Sequence, residues 1–231
     1  MSNVRLPIAV ALDVADLSAA TRLARALGDS VACLKIGLET YLRDGSPGVA
    51  EIMGAARPGV ELFLDLKLHD IPNTVAGAAQ SVAQLRPAML TVHAAGGPKM
   101  IEAAVQALPD TEITAVTILT SMSGADLSAV GIVGEPIDAV VRLAQLAVDA
   151  GARALVCSPL EVAAVRAAVG PDIRLVTPGV RPAGSALGDQ QRVATPKQAI
   201  ADGADLLVIG RPITGASDPA LAARSIGATL T

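Results

Sequence analysis

Eight aliphatic runs of strand length, Ala-rich segments of helical spacing between them, and no linker or composition shift predict a single-domain α/β chain over residues 1–231, folded as a (β/α)₈ TIM barrel. The length of 231 residues suits one such barrel, which typically needs roughly 250. Hydrophobic residues make up 52% of the chain and aromatics 1%, Tyr41 and Phe63 alone, so Ala, Val, Leu and Ile must do the packing. Parallel strands covered by helices on one side and barrel core on the other read as such aliphatic runs.

The runs fall at residues 8–12, 31–36, 62–68, 89–92, 113–119, 154–156, 173–176 and 206–209. Between them, residues 17–27, 99–108 and 137–150 carry apolar positions at helical spacing. Asp16 and Ser18 stand where the first of these helices starts, and Gly151 stands just past the end of the last. One connection, residues 177–195, is long and rich in Gly, Pro and charge without a sustained period. Long connections in compact domains are usually functional or disordered, and this one follows the seventh strand, where barrels often bind phosphate.

Composition excludes several function classes. A formal net charge of −4 offers no basic face for nucleic acid or an anionic membrane, and two aromatic rings supply no base-stacking platform. No stretch approaches the ~20 uninterrupted apolar residues of a membrane span. Cys33 and Cys157 lie in apolar runs and read as core, not as a disulfide pair. The start MSNVRLPIAVALD lacks signal-peptide features, and a cytoplasmic location is expected.

A barrel concentrates function at the C-terminal ends of its strands, and polar residues gather there. Asp13 closes the first run, Lys35 the second, Asp65 and Lys67 the third, and His93 the fourth. Thr120 and Ser121 follow the fifth, and Gly210 and Arg211 end the eighth. The chain holds four lysines against fourteen arginines, yet two of the four sit in strands that read as buried. Lys offers what Arg does not: a compact ammonium able to release a proton.

Strand alternation puts Asp65 and Lys67 on one face and Leu64, Leu66 and Leu68 on the other. Asp70 follows closely enough to join them or to reach outward. Alternating charges are the least costly way to bury such groups, and flanking carboxylates favour a protonated, proton-donating lysine over a Schiff-base nucleophile. Asp65, His69, Asp70 and His93 could also suggest a metal, but Lys67 would oppose a cation there, and both histidines read as structural or peripheral. Asp13 either caps the next helix or binds a sugar hydroxyl. Gly210 and Arg211 after the last strand, with Arg181 and Gln190 in the long connection, form a candidate oxyanion-binding end.

The segment DLKLHDIPNTV resembles the signature of orotidine 5′-phosphate decarboxylases, with its Asp-x-Lys-x-x-Asp core intact. The likeness continues through ALDV, CLKIG, VTILTSM, the TPGVRP…GDQQRVATP connection and LLVIGRPIT, in order along nearly the whole chain. It implies a cofactor-free and metal-free decarboxylase that forms uridine 5′-phosphate, working as a homodimer with shared active sites. Lys35, Asp65, Lys67 and Asp70 match the family's charge array. Lys67 would protonate C6, Asp65 would lie against the substrate carboxylate, and Lys35 would bind ribose. Asp70, Ile71 and Thr74 would reach across from the other subunit. Asp13 would hold a ribose hydroxyl, Thr120, Ser121 and Pro178 would line the pyrimidine pocket, and Arg181, Gln190, Gly210 and Arg211 would hold phosphate beneath a lid. Leu68 and Gly215 depart from residues common in the family. Two other readings remain open: a magnesium-dependent sugar-phosphate decarboxylase of the same superfamily, and a nucleotide-binding barrel without turnover.

Overall fold

The computed structural model describes residues 5–28, 30–181 and 194–230. The eight runs become β1 (Leu6–Ala11), β2 (Val31–Gly37), β3 (Glu61–Leu68), β4 (Met89–His93), β5 (Glu112–Val116), β6 (Ala154–Val156), β7 (Arg174–Thr177) and β8 (Leu206–Ile209). Each strand pairs in parallel with the next, and β8 returns to β1 through Ile8↔Leu207 and Val10↔Ile209, closing the barrel. Closure leaves the barrel, among the described residues, with no exposed strand edge to recruit another chain.

The helices are α1 (Leu17–Leu27), α2 (Leu38–Ala55), α3 (Pro72–Val82), α4 (Pro98–Ala107), α5 (Gly124–Ala129), α6 (Pro136–Asp149), α7 (Val162–Val169), α8 (Pro196–Ala201), α9 (Arg211–Thr214) and α10 (Pro219–Gly227). Asp16 caps α1 by accepting from the Ala19 N–H at 2.7 Å, which satisfies one of the orphan donors of the first turn. α2 is broken at Gly45, whose φ of 62° and ψ of −170° are not helical, and Pro47 opens its second half.

Alternation along the strands builds two cores. Outward residues such as Ile8, Val10, Leu34, Ile36, Leu62 and Leu64 pack beneath the helices. Inward residues Ala9, Cys33, Phe63, Met89, Val116, Val156, Val176 and Leu206 fill the barrel. Both cysteines are buried and unpaired, as the apolar runs around them suggest. Burial pushes the Cys157 thiol up to about 12.

The N-terminal mouth is charged. Arg174 Nη1 lies 3.6 Å from Glu61 Oε2 and 3.3 Å from Glu112 Oε2, and the Cys33 thiol donates to Glu61 at 3.4 Å. This end opens into a mixed-charge hollow of about 710 Å³.

The fifth strand is shorter than its apolar run. Thr117 still donates its N–H to Val156 O at 3.1 Å, but the chain then turns, with the Met122 N–H bonding Leu119 O. Ile118 and Leu119 line the cavity at the C-terminal mouth instead of extending the ladder. The connection after β7 is pinned at its base, where the Arg181 N–H donates to Ala194 O at 3.0 Å; the rest, with Gln190, lies outside the described residues.

Candidate active site at the C-terminal mouth

The C-terminal ends of the strands surround a cavity of about 450 Å³, within the range of small-molecule sites. Its apolar floor and wall come from Ala11, Phe63, Val116, Val156 and Val208. Asp13, Lys35, Asp65, Lys67, Thr120, Pro178, Arg181, Gly210 and Arg211 all line it. Asp70, Ile71 and Thr74 are exposed outside it, and Ser121 is exposed beside Thr120.

The charges form a chain. Lys35 Nζ lies 3.4 Å from Asp13 Oδ2 and 3.1 Å from Asp65 Oδ2, and Lys67 Nζ lies 2.7 Å from Asp65 Oδ1. Lys35 is 6% exposed. Burial pulls its pKa down, but Asp65 and Asp13 outweigh that and hold it above the ordinary lysine value. Burial likewise pushes Asp65 up, and the two ammonium groups overcome it, so its carboxyl titrates below the usual range. Asp65 is therefore an anion with a cation on each oxygen, an arrangement that recovers part of the cost of taking ions out of water.

Two residues that the sequence reading did not single out make this possible. A Cβ on Gly37 would stand 2.5 Å from Asp13 Oδ1 and 3.0 Å from Lys35 Nζ, so the missing side chain leaves the room in which Asp13 and Lys35 meet. Thr91, fully buried in β4, accepts the Lys67 N–H at 2.8 Å and bonds Asp65 Oδ1 at 3.1 Å. Its signal in the sequence is a lone hydroxyl in the aliphatic run MLTV, two residues after inward-facing Met89.

Asp70 accepts the N–H of Ile71 at 2.6 Å and forms no salt bridge among the described residues. His93, half-buried at the end of β4, has its ring centroid 5.3 Å from that of His69. Burial, followed by His69 and Lys67, lowers its pKa against the opposing pull of Asp65. Arg181 after β7 and Gly210 and Arg211 after β8 converge on one side of the mouth, the side on which barrels commonly bind phosphate.

Residues 7–226 match the model of the orotidine 5′-phosphate decarboxylase / HUMPS family. The chain is 65% identical over 224 residues to orotidine 5′-phosphate decarboxylase of Thermobifida fusca (strain YX), covering 97% of this chain and 95% of that protein. It is 58% identical over 224 residues to the enzyme of that name from Anaeromyxobacter dehalogenans (strain 2CP-1 / ATCC BAA-258), covering 96% and 97%. Its fold superposes on the crystal structure of orotidine 5′-phosphate decarboxylase from Lactobacillus acidophilus with a TM-score of 0.84 at 36% identity, covering 98% of this chain and 99% of that one. The same comparison gives 0.80 at 25% identity for the Pyrococcus horikoshii OT3 enzyme, covering 96% and 98%. With a closed eight-stranded barrel, a Lys-Asp-Lys chain at its C-terminal mouth and a family match over nearly its whole length, this chain belongs to the orotidine 5′-phosphate decarboxylase / HUMPS family.

Proposed function

We propose that the chain decarboxylates orotidine 5′-phosphate to uridine 5′-phosphate and CO₂, the last step of pyrimidine nucleotide synthesis, in the cytoplasm. The observation that carries this reading is Asp65 held between Lys35 and Lys67 beside an apolar pocket.

The substrate's C6–carboxylate bond breaks, CO₂ leaves, and the electron pair stays on C6. A vinylic carbanion there has no conjugated sink, so stabilisation must come from a charge already in place. Lys67 supplies it and then donates an Nζ proton to C6; solvent returns a proton to the amine. Asp65 aims Lys67 and lies against the departing carboxylate. Lys35 and Asp13 hold ribose hydroxyls, Thr120, Ser121 and Pro178 bound the pyrimidine, and Arg181, Gln190, Gly210 and Arg211 hold the phosphate. Binding phosphate far from C6 stabilises the closed, water-poor site and so contributes to turnover as well as affinity.

Asp70, Ile71 and Thr74 are solvent-facing here, and Ile71 is a large apolar side chain at 66% exposure. In a homodimer with shared sites they would enter the partner's mouth, bringing Asp70 to complete the charge array. No described helix is long and apolar enough to cross a membrane.

A second reading, the magnesium-dependent sugar-phosphate decarboxylase, meets an obstacle: both oxygens of Asp65 already hold ammonium groups. The test is an ultraviolet assay with orotidine 5′-phosphate and chelator present. Loss of the orotate absorbance supports the proposal. No change with chelator, and turnover of a sugar phosphate once magnesium is added, would replace it.

A further inference from the structure

β3 does not run straight past β4. Phe63 and Leu64 pair with Met89 and Leu90, yet Leu68 pairs with Val92, so four steps along β3 match two along β4. The surplus is absorbed across residues 65–67, and Lys67 takes a φ of 49°, a left-handed conformation that long L side chains rarely adopt. Bulges of this kind re-aim side chains near active sites.

Thr91 holds the bulge. Its Oγ1 accepts the Lys67 N–H at 2.8 Å, and it lies 3.1 Å from Asp65 Oδ1, the same oxygen that Lys67 Nζ meets at 2.7 Å. A hydroxyl has one proton. With one lone pair committed to the Lys67 amide, that proton goes to the Asp65 carboxylate. The contacts close a ring from the backbone of Lys67 through Thr91 and Asp65 to the ammonium of Lys67.

We propose that Thr91 is a positioning residue for the decarboxylation, an inference that rests on the decarboxylase reading. It ties the backbone of Lys67 and the carboxylate of Asp65 to one buried point, and so fixes where the ammonium stands relative to C6. Thr91 does not line the cavity. Its loss therefore acts on turnover and not on substrate affinity.

The experiment compares Thr91→Val, which keeps the shape and removes the hydroxyl, with Thr91→Ser, which keeps the hydroxyl. For Thr91→Val the expected result is a fall in kcat of about 10²-fold, the scale of a small misplacement of a reacting group. KM should stay within about threefold, and Thr91→Ser should keep most of the wild-type kcat. An unchanged kcat in Thr91→Val, equal damage in Thr91→Ser, or a loss carried by KM overturns the proposal. Should Thr91→Val not fold, Thr91→Ala against Thr91→Ser makes the same comparison: kcat lost in the first and kept in the second supports the role, and equal kcat overturns it. If wild type leaves orotidine 5′-phosphate untouched, the decarboxylase reading fails on its own. Crystals of the hydroxyl-free variant then decide the positioning claim, which is overturned if Lys67 keeps its left-handed φ and its place against Asp65.

Discussion

Lys35 reaches Asp65 across the β2–β3 pair, Nζ to Oδ2 at 3.1 Å, although the residue whose Cα pairs with Asp65 is Gly37. Lys35 itself pairs with Phe63, so its side chain leans along the barrel axis over a position that carries no side chain. The charge chain thus occupies room that a missing Cβ leaves open.

Gly37→Ala fills that room. The added methyl would stand 2.5 Å from Asp13 Oδ1, the tip of an exposed side chain that can move aside. Asp13 must turn away, and KM for the nucleotide should rise roughly tenfold, as for one lost hydrogen bond to a charged group. Steady-state kinetics check it; an unchanged KM would remove Asp13 from the binding set.

Lys67→Ala should lower kcat by at least roughly 10⁴-fold, because in the proposed mechanism one group serves as both electrostatic stabiliser and proton donor. The side chain is partly exposed at the mouth, so circular dichroism and Tm should stay close to wild type. Wild-type turnover from this variant would end the mechanism.

The alkaline limb of stability should carry the mark of Lys35. Its folded pKa is raised above the ordinary lysine value of 10.5, so its contribution is fully present below 10.5 and is lost as pH rises through the folded value. Denaturant midpoints of wild type should fall over that window, and Lys35→Met should fall less steeply there. Parallel curves for the two proteins would contradict this assignment.

His93 works at the other end. Its folded pKa is lowered from 6.5, by burial first and then by His69 and Lys67 against Asp65. The unfolded chain takes up a proton below 6.5 that the folded chain resists, so stability falls as pH drops from there towards the folded value. His93→Asn should flatten that part of the curve, read as urea midpoints between about pH 5 and pH 7.

Mixing two variants tests whether the site is shared between subunits, as proposed. In a homodimer that exchanges subunits, Lys67→Ala with Asp70→Ala gives heterodimers in which one site has both residues intact, so about a quarter of wild-type activity should return. No recovery after proven exchange would place Asp70 in its own subunit's site.

The sequence made the barrel legible because strand runs are aliphatic and their polar residues gather at one end. Asp65 and Lys67 were legible as neighbours through period-two alternation, although the alternation is not what aims Lys67. A two-residue surplus and a left-handed φ do that, and bulges leave no period to read. Thr91 and Gly37 escaped because their roles are relational: a hydroxyl matters through what lies across the strand pair, and a glycine through the atoms that occupy its empty space. The run 113–119 misled for a similar reason, since an aliphatic cavity wall and a strand use the same residues.

β3 begins at Glu61, in the charged cluster of one mouth, and within eight residues carries Asp65 and Lys67 to the other. The same strand therefore answers to folding at its start and to chemistry at its end. A one-residue slip would turn Leu64 inward, face Asp65 towards the helices and pull Glu61 from Arg174 in a single movement. Between Glu61 and Leu64 one register therefore serves both mouths, and a residue gained or lost there would disturb the two together.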